Sequence, residues 1–409
     1  MLASLAMGES EIIGFLPSTD CESTLAAFQN MGVEITRVAD THVRIQGVGL
    51  KGLHAPSGEL DMGNSGTAMR LMAGILSGQN FTSTLIGDES LSMRPMQRIQ
   101  TPLEKMGANI FSNQNHTPPL IIKPADELHA IHYPLPVPSA QVKSCVLLAG
   151  LYAQGKTCVV EGTPTRDHTE RMLQTFFYPV EVNDRTICVV GGGQLLASNI
   201  EVPGDISSAA FFIVGALISE NTTLTINKVG INPTRDGVIQ ILRLMGADIQ
   251  LTNVTTMGME PVADIVIRSS NLHGVDIPQA LIANSIDEFP ILFIAAACAE
   301  GVTTLSGAEE LRVKESDRIH NMAVGMQALG VTVKEKPDGI VITGGKLGAE
   351  EGATKNIDSC GDHRIAMAFT MASIKSKAKI IIHNTENVAT SFPNFVSLAS
   401  KLGLNISQT

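Results

Sequence analysis

The stretch GNSGTAMRLMAGILSGQNFTSTLI, residues 63–86, decides the fold. It reads as a polar glycine-rich loop, an apolar helix of small and aliphatic residues, a turn, and a β-branched run. The helix-and-strand part recurs as LASLAMGESEII (2–13), VKSCVLLAGLYAQGKTCVV (142–160), SAAFFIVGALISENTTLTI (208–226), FPILFIAAACAEGVTTL (289–305) and RIAMAFTMASIKSKAKIII (364–382). The later copies are each preceded by a polar loop: PSAQ, GDIS, IDE and CGDH. The first copy has none, because Met1 already lies at its helix.

A second element follows each copy, an amphipathic helix stopped by glycine and feeding a strand. Examples are IQTPLEKMGANI (99–110) and VIQILRLMGADI (238–249). Ile99, Leu103 and Met106, like Met322, Met326 and Leu329, fall at helical spacing. Gly32, Gly107, Gly246, Gly330 and Gly403 are the expected left-handed residues just past each helix end. The first helix type is apolar on nearly all sides and should be buried, whereas the second keeps a polar face. Six such units predict an α/β protein of two similar lobes with three units each. The intervening segment NKVGINPTRDG (227–237) puts the division at 1–229 and 230–409.

If the buried helices of a lobe run parallel, their N-termini converge and bring the polar loops together. Helix N-termini carry unpaired N–H groups and partial positive charge, so a cleft between lobes lined by such ends would bind anions. Simple capping by Ser, Asp and Asn is the plainer reading. It leaves the clustering of basic residues at the same ends unexplained.

Composition narrows the function. A net charge of −11 argues against a general nucleic-acid or anionic-membrane binder. The longest apolar run, 290–299, is far short of the roughly 20 residues a membrane span needs. The opening MLASLAMGES lacks a basic start, so it does not read as a signal peptide. The six cysteines show no paired spacing, and the expectation is reduced thiols in a cytoplasmic protein.

Several loops carry candidate chemistry. GNSGTAMR offers Asn64 and Gly66, with Arg70 one turn into the helix; glycine permits close backbone approach to a phosphate or carboxylate. In LSMRPM, Pro95 limits where Arg94 can point. PSAQVKS supplies Ser139, Gln141 and Lys143, a set suited to a polyol phosphate, and TRDHTER supplies Arg166. NSIDEFP places Asp287 and Glu288 ahead of an apolar helix. LRVKESDR packs Arg312, Lys314, Glu315, Asp317 and Arg318 together, a run that is usually a solvated helix face. CGDHRIAMAF puts Asp362, His363 and Arg364 at a helix start, and His363 has no second His or Cys at metal-ligand spacing.

Taken together and in order, GNSGTAMR, RPM, SAQVKS, RVKESDR, GDHRIAMAF and TSFPNF resemble the 5-enolpyruvylshikimate-3-phosphate synthase family. The resemblance implies a two-domain inverse α/β barrel of six units, in which shikimate 3-phosphate and phosphoenolpyruvate bind between the lobes. It also implies transfer of an enolpyruvyl group to the shikimate 5-hydroxyl with release of phosphate, in the route to chorismate and aromatic amino acids. Ser139, Ala140, Gln141 and Arg166 stand where the family grips shikimate 3-phosphate. Asp287 matches the proton acceptor at the 5-hydroxyl, Lys314 a lysine at the reacting centre, and Glu315 a group moving a proton at the methylene. Arg94, Arg318 and Arg364 match the guanidiniums that clamp phosphoenolpyruvate; Asn64 and Gly66 lie beside them and Gln141 bridges the substrates. No metal or organic cofactor, nucleic acid or membrane is implied, and a monomer is expected.

Two departures stand out. Thr390 occupies the place of a lysine in many members, a variant shared with a bacterial subgroup. The family's first loop, Lys-Ser-x-Ser-x-Arg, has no counterpart ahead of the segment matching LASLAMGES, so a lost amino-terminal segment and weak turnover are expected. The competing readings are a UDP-N-acetylglucosamine enolpyruvyl transferase and a non-catalytic anion-binding descendant.

Overall fold

The computed structural model describes residues 1–345, 347–348 and 351–408. The chain forms two compact units, Met1–Val202 with Met257–Glu260, and Pro203–Thr256 with Pro261–Thr409. The division therefore falls at 202/203, ahead of the expected 229/230. The helix Ile206–Ile218 packs against Phe289–Cys298 and His363–Ala372, which draws it into the second unit. Each unit then has three apolar helices: Leu2–Leu5, Gly66–Leu76 and Ala140–Gly150 in the first, and the three just named in the second.

Burial follows the apolar pattern. Phe289 through Ala297 are buried without a gap, as are all but Ser208 along Ile206–Ile218. Each large aliphatic or aromatic side chain so buried contributes roughly 1.5–3 kcal/mol. The amphipathic helices bury one face only, as in Gln97–Lys105, where Ile99 and Leu103 turn inward and Glu104 stays exposed.

The strands of the described residues form small separate sheets at the rate of one per repeat, three in each unit. The first unit holds β-sheets built on Ala6–Ile13, Ser83–Ile86 and Lys156–Val160; the second holds sheets built on Thr223–Gly230, Val302–Leu305 and Lys379–His383. Most neighbours pair antiparallel, but Thr354–Asp358 runs parallel to Lys379–His383.

The helices Gly66–Leu76 and Ala140–Gly150 of the first unit run parallel, as do Ile206–Ile218 and His363–Ala372 of the second. In the first, a Cβ on Gly74 would meet the Cys145 carbonyl at 2.3 Å, and one on Gly78 would meet the Tyr152 ring at 2.1 Å. The contacts thus advance in the same direction along both segments, and only glycine admits the approach. In the second, Gly215 lies against Met371 in the same sense, 3.2 Å from a Cβ to its sulfur.

The five helix-stopping glycines all have positive φ, from 83° at Gly330 to 101° at Gly403. Three share a partner the sequence reading missed. The amides of His54, His129 and His273 donate to the carbonyls of Met31, Met106 and Met245 at 2.9, 2.8 and 2.9 Å. A Leu-His-Ala or Leu-His-Gly triplet in each (53–55, 128–130, 272–274) is the signal that would have revealed it. Each histidine satisfies a helix-end carbonyl one residue before its glycine.

The cysteine reading needs correction. Cys158 and Cys188 stand opposite each other on antiparallel strands, Cα–Cα 4.1 Å, and are joined as a disulfide. Their 30-residue separation follows from strand register and leaves no trace in local spacing. Cys21, Cys145, Cys298 and Cys360 are free thiols.

Candidate active site

In the first unit, the helix starts at Gly66 and Ala140 are capped by their own serines. Ser65 accepts from the Ala68 amide at 3.2 Å and Ser139 from the Val142 amide at 3.4 Å. Capping is therefore present, and more is built on it. The Arg70 guanidinium donates to Gln141 Oε1 at 2.6 Å, and Gln141 Nε2 donates to Thr67 Oγ1 at 2.8 Å. Arg94 donates to Asn64 Oδ1 at 2.7 Å, and Asn64 Nδ2 donates to Asp88 at 2.7 Å. A Cβ on Gly66 would lie 2.9 Å from Arg70 Nη1 and 3.4 Å from Arg94 Nη1. Asn64, Gly66, Arg94 and Gln141 thus belong to one cluster, and Arg70 joins it. Ser139 and Ala140 form the adjoining helix start.

Lys143 is placed otherwise than expected. It turns away from the polar loop into the protein, where Nζ lies 3.2 Å from Glu161 and 2.7 Å from Glu170. Its position on the helix, two residues past Gln141, sends it to a different face. Arg166 is half-buried in the loop that leads to the helix His168–Thr175, one residue beyond Thr165.

The second unit assembles a denser constellation. Arg318 opens the helix Arg318–Ala328, with Asp317 as its cap. Its guanidinium contacts three carboxylates: Nε to Asp362 at 2.8 Å, Nη2 to Glu315 at 2.5 Å and Nη1 to Asp287 at 3.4 Å. Only 1% of this side chain is exposed. Burial alone would favour loss of its charge, and the carboxylates of Asp362, Glu315 and Asp287 more than reverse that. Lys314 Nζ lies 3.6 Å from the same Asp287 oxygen, and Arg364 donates to the Asp287 carbonyl at 2.9 Å. Asp287, Lys314, Glu315, Arg318 and Arg364, predicted from separate motifs, are therefore brought together.

Sequence reasoning undervalued the groups behind them. Asp362 is fully buried, caps its helix by accepting from the Arg364 amide at 2.9 Å, and anchors Arg318. Glu288, also buried, accepts from Ser207 Oγ and lies 3.8 Å from Arg364 Nη1. Arg235 donates to Ser207 at 2.6 Å and pairs with Asp205 at 2.9 Å. Through Ser207, Glu288 and Arg364 the starts of the three apolar helices meet, which is the convergence their repetition predicts. His363 is held neutral near pH 7, its pKa pushed down to about 4 by burial and then by Arg364.

What the arrangement offers chemically is cationic hydrogen-bond donors at helix N-termini, with carboxylates poised to take up or deliver protons. Among the described residues, no group of three or more His, Cys, Asp or Glu could hold a metal ion. None of their helices is long and apolar enough to cross a membrane.

Residues 1–398 match the family described as EPSP synthase (3-phosphoshikimate 1-carboxyvinyltransferase). The chain belongs to the EPSP synthase family. The 3-phosphoshikimate 1-carboxyvinyltransferase of Alkalilimnicola ehrlichii is 56% identical over 408 residues, covering 100% of this chain and 91% of that protein. Its counterpart in Methylococcus capsulatus is 56% identical over 406 residues, covering 99% and 92%. Among solved structures, the EPSP synthase of Acinetobacter baumannii is similar with a TM-score of 0.89 and 52% identity, over 100% of this chain and 93% of that one. The enolpyruvyl transferase NikO from Streptomyces tendae shares the fold at a TM-score of 0.77 and 16% identity, over 100% and 92%.

Membership carries the enzyme class with it: a transferase of the shikimate pathway, in aromatic amino acid biosynthesis. The UDP-N-acetylglucosamine reading is not favoured. The expected loss of an amino-terminal segment finds no support in matches that take in the whole chain and over nine-tenths of each relative. The weak turnover that hung on it is not carried forward.

Proposed function

We propose that the two constellations together transfer the enolpyruvyl group of phosphoenolpyruvate to the 5-hydroxyl of shikimate 3-phosphate, in the cytoplasm and as a monomer. Shikimate 3-phosphate is gripped by Ser139, Ala140, Gln141 and Arg166. Phosphoenolpyruvate is held by Arg94, Arg318 and Arg364, with Asn64 and Gly66 alongside. Asp287 accepts the proton of the 5-hydroxyl, Lys314 serves the reacting centre, and Glu315 moves the proton at the methylene. The new C–O bond forms as the methylene is protonated to a methyl group; loss of a methyl proton and departure of phosphate, which carries off the proton Asp287 took up, then give the enol ether.

The observation that carries this reading is Asp287 itself. Its carboxylate is shared by Lys314 and Arg318 at 3.6 and 3.4 Å, while Arg364 holds its carbonyl. This carboxylate stands at the matched position of the proton acceptor, beside the cations that would face a trianionic donor. The burial of Arg318 adds a requirement. A phosphoenolpyruvate oxygen reaches its guanidinium by displacing a carboxylate, and Glu315 is the more exposed of the three.

The test is phosphate release by the purified chain with both substrates, with each alone, and with UDP-N-acetylglucosamine in place of shikimate 3-phosphate. Turnover is expected with the first pair alone. Lys314→Ala should lower kcat by about two to four orders of magnitude. Turnover on the UDP-sugar, or binding of both substrates without phosphate release, would overturn the assignment.

A further inference from the structure

We propose that Lys143, Glu161 and Glu170 form a buried clamp that positions Arg166, and that this clamp sets the affinity for shikimate 3-phosphate without joining the chemistry. The inference rests on the functional reading above.

Lys143 is 1% exposed and both carboxylates only 6%, so three charges have been taken out of water. Such a group is expensive to build and strongly destabilising to break. Its contacts show what it grips. Lys143 Nζ donates to the Thr165 carbonyl at 3.4 Å, as well as pairing with Glu161 and Glu170. Glu161 accepts from the Thr165 amide at 3.0 Å and from the Thr165 hydroxyl. Thr165 is thus held at its amide, its hydroxyl and its carbonyl, and the next residue is Arg166.

Beyond Arg166 the chain is pinned again. Glu170 lies in the first turn of the helix His168–Thr175, and Thr169 Oγ1 is hydrogen-bonded to Ser144 Oγ at 2.6 Å. Arg166 therefore lies between two points fastened to residues 143 and 144. Those residues belong to the helix whose start carries Ser139, Ala140 and Gln141. The clamp fixes one substrate-gripping residue relative to three others.

A plain staple would need one carboxylate. Here a single ammonium serves two, and Glu170 Oε2 has no hydrogen-bond partner of its own. Burial pushes the Glu170 carboxyl up, and Lys143 pulls it part of the way back. The extra carboxylate ties down the far side of the Arg166 loop, a geometric task that folding alone does not demand. Arg166 supplies the charge that meets the phosphate, so Lys143 is a positioning residue.

Steady-state kinetics on the full chain tests this. Lys143→Met should raise KM for shikimate 3-phosphate about tenfold, leave kcat within about threefold, and leave KM for phosphoenolpyruvate within about twofold. Glu170→Gln, which keeps an acceptor for Lys143, should remain within about threefold of the parent on every constant. Arg166→Gln should raise the same KM, and adding Lys143→Met to it should change that KM by no more than about twofold.

An equal further rise in the double variant would show that Lys143 does not act through Arg166, and would overturn the clamp. So would a Lys143→Met protein that unfolds more easily but keeps its KM. Should Lys143→Met fail to fold, Glu161→Leu, which removes the acceptor for the Thr165 amide and hydroxyl, takes its place and must show the same selective KM shift. A parent protein without turnover would sink the functional reading and the clamp with it; parental turnover with an unmoved KM sinks the clamp alone.

Discussion

Among the described residues, each unit buries one cation almost completely, and the two are put to different use. Lys143 in the first and Arg318 in the second are both 1% exposed, and both are surrounded by more than one carboxylate. Around Lys143 the carboxylates are themselves sealed and turn back to hold a loop. Around Arg318, Asp362 is sealed, whereas Asp287 and Glu315 keep an accessible edge. The five donors and planar fork of arginine suit the second role, because one guanidinium can orient several acceptors at once. Lysine gives a compact point charge, which is enough to lock a turn. A buried cation thus fastens a loop in one place and orients partly exposed carboxylates in the other.

That contrast is most easily broken at Asp362. Asparagine keeps the helix cap but removes the charge that Arg318 needs most in its buried setting. We expect Asp362→Asn to lower unfolding free energy by roughly 3 kcal/mol in urea titration and to reduce kcat more than about tenfold. The kinetic loss follows because Asp287 and Glu315 are then drawn harder onto the guanidinium. A variant as stable and active as the parent would show that Arg318 does not depend on its sealed partner.

The second prediction sharpens the contrast through pH. His363 stands beside Asp362 and Arg364, and its folded pKa is pushed down to about 4 from 6.5 by burial, with Arg364 next in effect. Above pH 6.5 both folded and unfolded chains carry it neutral, and it has no influence. Between 6.5 and 4 the unfolded chain takes up a proton that the folded chain refuses, so stability falls with pH across that window. The loss should reach roughly 2 kcal/mol, trimmed from the full shift by the ring's partial exposure. An NMR titration should place its midpoint near pH 4, and His363→Gln should flatten stability over the same range relative to the parent. A midpoint near 6.5 would remove His363 from the buried cluster.

What could be read from the sequence was whatever repeats or sits in a contiguous motif. The apolar buried helices and the glycine stops follow from local patterns, and the grouping of Asp287, Lys314, Glu315, Arg318 and Arg364 from the family resemblance that their motifs carry. What escaped depends on tertiary placement. The direction of Lys143 is set by which helix face meets Glu161 and Glu170, and those glutamates belong to segments with no distinguishing spacing. The bond between Cys158 and Cys188 needs a strand register that no sequence pattern gives. Ser207 and Arg235 matter only because three helix starts meet at Glu288, and the segment holding Arg235 looked like a mere divider. The division falls at Val202 rather than at the expected 229/230 for a related reason: a long connection near 230 is more conspicuous than the packing partners of an apolar helix.

The smallest effect we predict concerns Gly66, where the first unit brings the buried Arg70 and the half-buried Arg94 together at a helix start. In contrast with Lys143 and Arg318, Arg70 and Arg94 are oriented in part by amide oxygens, on Gln141 and Asn64. Amides fix direction without cancelling charge, but they hold less firmly than buried carboxylates. A methyl group at Gly66 would press on Arg70 Nη1 from 2.9 Å and Arg94 Nη1 from 3.4 Å, with Leu91 Cδ1 at 3.6 Å. The two nearest atoms are ends of flexible side chains, and φ at this helix start is not in the left-handed region, so folding itself is not penalised. Gly66→Ala should therefore change unfolding free energy by less than about 1 kcal/mol. The displaced guanidiniums should raise KM for phosphoenolpyruvate by about three- to tenfold while KM for shikimate 3-phosphate moves less than about twofold. An equal rise in both constants would mean that Arg70 and Arg94 are not assigned to one substrate. No rise in either would mean that these guanidiniums do not meet the donor, and that the amide-held arginines of the first unit play no part comparable to the carboxylate-held Arg318 of the second.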